Sequence, residues 1–189
     1  MKQKFLEKMK ALKYRLANAN DVETLVALIN QAYRTDSGNS WTSEQNIVAG
    51  DRINAQQLQK TLAQENFYLF IAEATEDFQT HLVACIGLTF QADHVEIGTF
   101  CVDSHWQNKG IGKQVLNYAE KMAVERCPTL SHYEMWVLDS RTELIQYYAR
   151  CGYAKTQHTE PYPLHANVGH PLIDLQLQQM SKPVLSGIS

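Results

Sequence analysis

Gln107, Gly110 and Gly112 fall in the run Val102–Lys113, where an apolar strand gives way through two glycines to an amphipathic helix. Such a junction can hold an anion. Glycine turns tightly with no Cβ in the way, and the first N–H groups of a helix, unpaired within it, point outward with the positive end of its dipole. A diphosphate suits this cradle. Two common phosphate fingerprints do not match here: Val115 stands where G-x-G-x-x-G needs a third glycine, and Gln107 where G-x-x-x-x-G-K-S/T needs its first.

The flanks set the glycines at a strand-to-helix junction. His94 to Val102 is rich in β-branched and aromatic residues between polar turns, which predicts a strand over 94–103. Ile111, Val115, Tyr118, Ala119 and Met122 recur at helical spacing, with Lys113, Asn117, Glu120 and Lys121 mostly opposite, which predicts a helix over 109–126 ended by Pro128. Elsewhere the patterns predict strands near 13–17, 67–74, 81–91, 133–138, 153–159 and 173–179, and helices near 21–34, 43–50, 54–65 and 141–150. The polar turn Thr75 to Thr80 makes a hairpin of two of the strands, and Pro161, Pro163, Gly169 and Pro171 mark a long irregular loop before the last one.

Gln107-x-x-Gly110-x-Gly112, four residues after Asp103, resembles the acetyl-coenzyme A signature Q/R-x-x-G-x-G/A of the GNAT N-acetyltransferase superfamily. Tyr147-Tyr148-x-x-x-Gly152-Tyr153 resembles a second segment of that family, and Tyr14 to Arg34 is similar to its first strand and helix. The resemblance implies an α/β fold: one three-layer α/β/α domain over residues 1–189, with a mixed, mostly antiparallel sheet splayed between its fourth and fifth strands, here 94–103 and 133–138. Residues 1–12 are then an N-terminal extension and 181–189 a loose tail.

It also implies a reaction, the transfer of the acetyl group of acetyl-CoA to a primary amine of a small molecule or peptide by direct attack in a ternary complex. By resemblance, the backbone of Phe100, Cys101 and Val102 holds the thioester and the pantetheine arm, while Gln107, Asn108, Lys109, Gly110, Ile111, Gly112 and Lys113 take the diphosphate. Tyr148 matches the family's general acid, and Glu96, eleven residues before Gln107, a catalytic glutamate of some members. The same residues also read as a packed core tyrosine and a solvent-facing strand carboxylate. Where many relatives carry asparagine and alanine this chain has Arg141 and Leu144, and Arg141 either reaches the cofactor or decorates the helix surface. The other functional class compatible with these motifs is a non-catalytic acyl-CoA sensor or interaction module.

Acceptor contacts are expected from loops over the scaffold, from Trp41 and Glu44 in one and Tyr162 in another. His158, His165 and His170 lie at no metal-ligand spacing, so no metal is expected. With 189 residues, 44% of them hydrophobic, the chain suits one core burying roughly 70% of the unfolded surface. A net charge of −3 argues against a general nucleic-acid partner. The cysteines at 85, 101, 127 and 151 form no C-x-x-C pair and read as free thiols, the lysine-dotted start lacks the apolar segment of a secretory signal, and no run reaches the ~20 apolar residues of a membrane span. The expectation is a cytoplasmic protein, monomer or homodimer, with no membrane partner.

Overall fold

The computed structural model describes residues 11–35 and 43–185. In chain order the elements are β1 (Lys13–Leu16), α1 (Val22–Arg34), β2 (Val48–Ala49), α2 (Ala55–Leu62), β3 (Phe67–Glu76), β4 (Gln79–Phe90), β5 (His94–Val102), α3 (Ile111–Arg126), β6 (His132–Leu138), α4 (Thr142–Arg150), β7 (Ala154–Pro161), β8 (His170–Pro171) and β9 (Gln176–Pro183). Seven strands form one sheet in the order β1-β3-β4-β5-β6-β9-β7, antiparallel throughout except where β5 meets β6. Helices cover both faces, as the three-layer reading expects.

Alternation along the central strands distributes the core. Phe67, Leu69 and Ile71 of β3 join Cys85 and Cys101 under Leu25, Ile29 and Leu58 of α1 and α2. Phe70, Ala72 and Ala74 face the other way with Ile86 and Leu88, against Ile111, Val115, Leu116 and Ala119 of α3 and Ile145 of α4. Coverage of both faces explains why β3 and β4 read as nearly continuous apolar runs. A capping box starts α2, Gln57 N donating to Asn54 Oδ1 at 2.9 Å and Asn54 N to Gln57 Oε1 at 2.8 Å.

Three sequence expectations are corrected. No helix forms over 43–50. A turn there leads into β2, which pairs with β8 across more than a hundred residues, a contact that local periodicity does not carry. The Thr75–Thr80 turn shrinks to Asp77 and Phe78, both at positive φ (48° and 66°), so the strands run further into the polar stretch. The last strand lies at Gln176–Pro183 rather than 173–179, and Ser181 to Pro183, expected loose, pair with β6 from Glu134 back to His132. Residues 1–10 and 186–189, the rest of the expected extension and tail, lie outside the described residues. Among the described residues no helix is long and apolar enough to cross a membrane.

The splay has a local cause. Strands β5 and β6 pair only at His94↔His132, Val95↔Tyr133 and Glu96↔Glu134, and then part. Just beyond, the β4–β5 register jumps from Gly87↔Gly98 to Cys85↔Cys101, so Thr99 and Phe100 together oppose Ile86. A bulge of this kind bends its strand and strengthens the twist. Thr99 sits at φ 46° within it. These parting strands occupy the fourth and fifth places in the sheet.

Candidate active site

One cavity, of about 260 Å³, opens where the bulged strand runs into α3. Phe100, Cys101 and Val102 form one wall, Gln107, Asn108, Gly110, Ile111, Gly112 and Lys113 another, and Leu144, Tyr147 and Tyr148 of α4 close it. Gly110 stands at φ 77° immediately before the helix, and a Cβ built on it would meet nothing within 4 Å. That direction is open space at a residue of the cavity wall. At Gly112 a Cβ would come within 3.2 Å of Tyr147 Oη, 3.8 Å of Val102 Cγ2 and 3.9 Å of Phe100 Cζ. The loop is tied down by Gln107, whose Nε2 donates to the Val102 carbonyl at 3.0 Å.

A second cavity, of about 350 Å³, fills the gap between the diverging strands. Ile97 to Phe100 and Met135 to Leu138 line its two sides, and Glu96 lies at the apex, the last residue of β5 still paired with β6. Tyr33, Arg52, Arg141, Glu160 and Tyr162 complete the wall. Phe100, Leu144 and Tyr148 border both cavities, so the two spaces meet beside them.

Two carboxylates stand side by side at the apex, and their surroundings split their roles. Glu134 is gripped by two histidines, His132 Nε2 at 2.9 Å from Oε1 and His94 Nε2 at 3.4 Å from Oε2. The imidazoles stack with ring centres 5.0 Å apart, and their outer nitrogens meet Ser131 Oγ (2.6 Å) and Asp93 Oδ1 (3.0 Å). Among the described residues Glu96 has no such histidine support. Burial first, then the neighbouring Glu134 charge, pushes its carboxyl above the usual range against the opposing pull of His94, with a further push from Glu160. The result is a carboxylate of increased basicity facing the cavity.

Tyr148 is 7% exposed, and burial holds its phenol well above its ordinary pKa, so it keeps its proton. Its ring lies 6.5 Å from that of Phe100 and 5.3 Å from that of Tyr147. The wall of the second cavity is braced by Arg34. The guanidinium holds Glu44 Oε2 at 2.6 Å and donates to the carbonyls of Gly50 and Val168, both at 2.6 Å, tying the 43–52 loop to the loop before β8.

Residues 26–153 match the model of the acetyltransferase (GNAT) family, about two thirds of the chain. The chain belongs to the GNAT family. Its fold is similar to the ribosomal-protein-S18-alanine N-acetyltransferase from Escherichia coli (TM-score 0.63, 14% identity, 95% of this chain and 98% of that one covered). An N-acetyltransferase from Staphylococcus aureus Mu50 (0.67, 11%, 94% and 100%) and the spermidine N-acetyltransferase from Vibrio cholerae in complex with CoA and spermine (0.64, 15%, 91% and 95%) are also similar. No curated protein matches its sequence significantly.

Within this GNAT chain, all but one of the residues expected at the diphosphate turn line the first cavity. The exception is Lys109, whose ammonium lies 4.6 Å from the centre of the Trp106 ring. Arg141, read toward the cofactor, lines the second cavity, its Nη1 donating to the Ser43 carbonyl at 2.7 Å. Glu44 and Tyr162 line the second cavity, though Glu44 is committed to Arg34 and Tyr162 donates its hydroxyl proton to the Val168 carbonyl at 2.9 Å. Trp41 lies outside the described residues. Cys101 packs its thiol 3.5 Å from that of Cys85 in the core, where that contact first, then burial, raise the Cys85 thiol. Among the described residues no group of three or more His, Cys, Asp or Glu could hold a metal ion.

Several wall residues escaped the sequence reading. Tyr33 donates its hydroxyl proton to the Phe100 carbonyl at 3.0 Å, fixing the bulge. Glu134 and its histidines did leave a trace: His-x-Glu occurs at 94–96 and again at 132–134, and on paired strands that spacing puts all four side chains on one face.

Proposed function

We propose that this chain is an N-acetyltransferase that moves the acetyl group of acetyl-CoA to a primary amine within a ternary complex. The observation that carries this reading is the meeting of two cavities at Phe100, Leu144 and Tyr148, one entered past a glycine-edged helix start and the other holding a carboxylate of raised pKa. Such a site lets two substrates approach a common point from opposite sides of the splay.

The first cavity fits the cofactor. Gly110 leaves free the space that any side chain would occupy at the cavity wall, and the first N–H groups of α3 border it as a diphosphate requires. Acetyl-CoA, when bound, supplies a thioester as the electrophile. Beyond Glu96, β5 has no β6 partner, so those backbone groups from Ile97 to Val102 that the fold does not bond can hold an amide-bearing arm as a neighbouring strand would.

The chain's own groups then handle two protons. An amine arrives as an ammonium ion, and Glu96 takes one proton from it to give the nucleophile. As the C–N bond forms and the C–S bond breaks, the departing sulfur takes a proton from Tyr148 Oη, and the second proton released by the attacking nitrogen restores the phenol. Its elevated pKa makes it a hydrogen-bond donor that stays neutral through the working range. Glu134, held by its two histidines, stands beside Glu96 and helps to keep it basic.

The test is free-thiol release from acetyl-CoA with a panel of primary amines, beside calorimetry with desulfo-CoA. Amine-dependent release with saturable cofactor binding is the expected result. Tight binding with no turnover on any amine would leave an acyl-CoA-binding module in place of an enzyme.

A further inference from the structure

The second cavity carries fixed charge of both signs, and its cationic part is built with care. Arg52 is held at its backbone: its N–H and that of Ile53 donate to Asn30 Oδ1 at 2.7 and 3.2 Å, and Asn30 Nδ2 donates back to the Ile53 carbonyl at 2.8 Å. Its guanidinium stands 5.4 Å from the centre of the Tyr33 ring, an aromatic platform that orients the planar cation. Among the described residues Arg52 enters no ion pair: of the acids lining this cavity Glu44 is taken by Arg34, and neither Glu96 nor Glu160 is paired with it. Arg141 adds a second guanidinium to the wall.

The opposite charge gathers elsewhere in the cavity. Glu96 and its neighbour Glu134 lie where β5 and β6 still pair, whereas Arg52 stands by the Tyr33 ring at the end of the 43–52 loop and Arg141 donates to the Ser43 carbonyl at the start of that loop. The cavity therefore has an acidic apex and a cationic rim. An acceptor with only an ammonium group would satisfy the apex and leave a partly desolvated guanidinium facing methylenes. A polyamine would set like charges together at the rim, which disfavours it.

We propose that the acceptor is a primary amine that also carries an anionic group, a carboxylate or a phosphorus oxyanion, with the anion on Arg52 and Arg141 and the ammonium toward Glu96. This rests on the acetyltransferase reading above and narrows it to a substrate class. Guanidinium groups bind both anions through paired N–H donors, and such charge-assisted bonds add about 1.5–3 kcal/mol each, roughly ten- to a hundredfold in affinity.

Matched acceptors test it with the full chain. Thiol release is compared for alanine and alaninamide, for 3-aminopropylphosphonate and propylamine, and for spermidine. The anionic member of each pair is expected to have a kcat/KM at least about tenfold higher, the two pairs separating carboxylate from phosphorus oxyanion. In Arg52→Gln the KM of the preferred anionic amine should rise about tenfold or more with kcat changed far less, and Arg52→Lys should recover part of the loss. Equal rates within both pairs, or a preference for spermidine, would overturn the inference while leaving amine acetylation intact. A second arm needs no turnover: calorimetry of N-acetylalanine against N-acetylalaninamide in the presence of CoA. Tighter binding of the carboxylate supports the anion site even if no amine is acetylated, and equal or absent binding of the two refutes it.

Discussion

Gly110→Ala and Gly112→Ala separate backbone strain from obstruction of the cradle. At Gly110, φ 77° lies in the left-handed region, where an L side chain adds about 1–2 kcal/mol, offset in part by about 0.4–1 kcal/mol from the stiffer unfolded chain. A net loss near 1 kcal/mol should lower Tm by about 2–4 °C for a chain of this size. The new methyl meets no protein atom within 4 Å, so the fold is otherwise undisturbed, but it is added to a residue of the cavity wall. Losing one charge-assisted N–H contact there costs about 1.5–3 kcal/mol, so desulfo-CoA should bind about 10- to 100-fold more weakly by calorimetry. Gly112 lies inside the helix, where alanine gains up to about 1 kcal/mol of helix propensity, while its Cβ would press on Tyr147 Oη at 3.2 Å. Gly112→Ala should therefore hold its Tm within a few degrees and still lose affinity. If Gly110→Ala melts earlier but binds desulfo-CoA within twofold of the parent chain, the glycines serve the turn alone and the cradle assignment is wrong.

Glu96→Gln should abolish the acid limb of the kcat/KM profile, which in the parent chain lies above the ordinary carboxylate range; an unchanged profile shape removes Glu96 from proton transfer. The sign also fixes stability. A carboxyl raised on folding contributes most below its unfolded pKa and loses that contribution as pH rises through its folded one, so Glu96→Gln should gain on the parent in urea melts as pH increases through that window. Glu134→Gln removes the neighbouring charge and should move the acid limb to lower pH, an outcome that an unmoved limb would refute. Tyr148→Phe should lower kcat by about 10²-fold with desulfo-CoA affinity nearly unchanged, and an unaltered kcat would mark a purely packed ring. Arg34→Met leaves the half-buried Glu44 without its partner and breaks two further loop contacts, to Gly50 and Val168; a loss of about 3 kcal/mol in urea unfolding is expected, and one under 1 kcal/mol would contradict the brace.

The helix-start half of the site was legible because it is local. Gln107, Gly110, Gly112 and the strand before them are adjacent in sequence, and their types state their geometry. Direction within that run was not legible: Lys109 belongs to the motif yet lies over Trp106, because an aromatic face three residues back attracts a flexible cation. The acceptor half is assembled from distant segments. Tyr33, Arg52, Glu96, Trp136, Arg141 and Glu160 converge only when the sheet splays, and no spacing in the chain encodes that convergence. The expected helix over 43–50 failed for the same reason, since the β2–β8 pairing and the Arg34 contacts that shape the segment are long-range.

The bulge at Thr99 and Phe100 links the two halves energetically. A threonine at φ 46° stores on the order of 1–3 kcal/mol, and further pairing of β5 with β6 is given up beyond Glu96. Nearby contacts maintain the bend: the Tyr33 hydroxyl on the Phe100 carbonyl, the Cys85 thiol on the Thr99 carbonyl at 3.4 Å, and Gln107 on the Val102 carbonyl. Each commits a carbonyl of the bent segment to a partner outside the lost ladder. Backbone groups left on the parted edge must find water or a ligand, because buried polar groups without partners are expensive. A ligand with amides laid along β5 would take the place that β6 gives up there. The same departure of β6 opens the second cavity to Glu96, so a straightened β5 would reshape both cavities together.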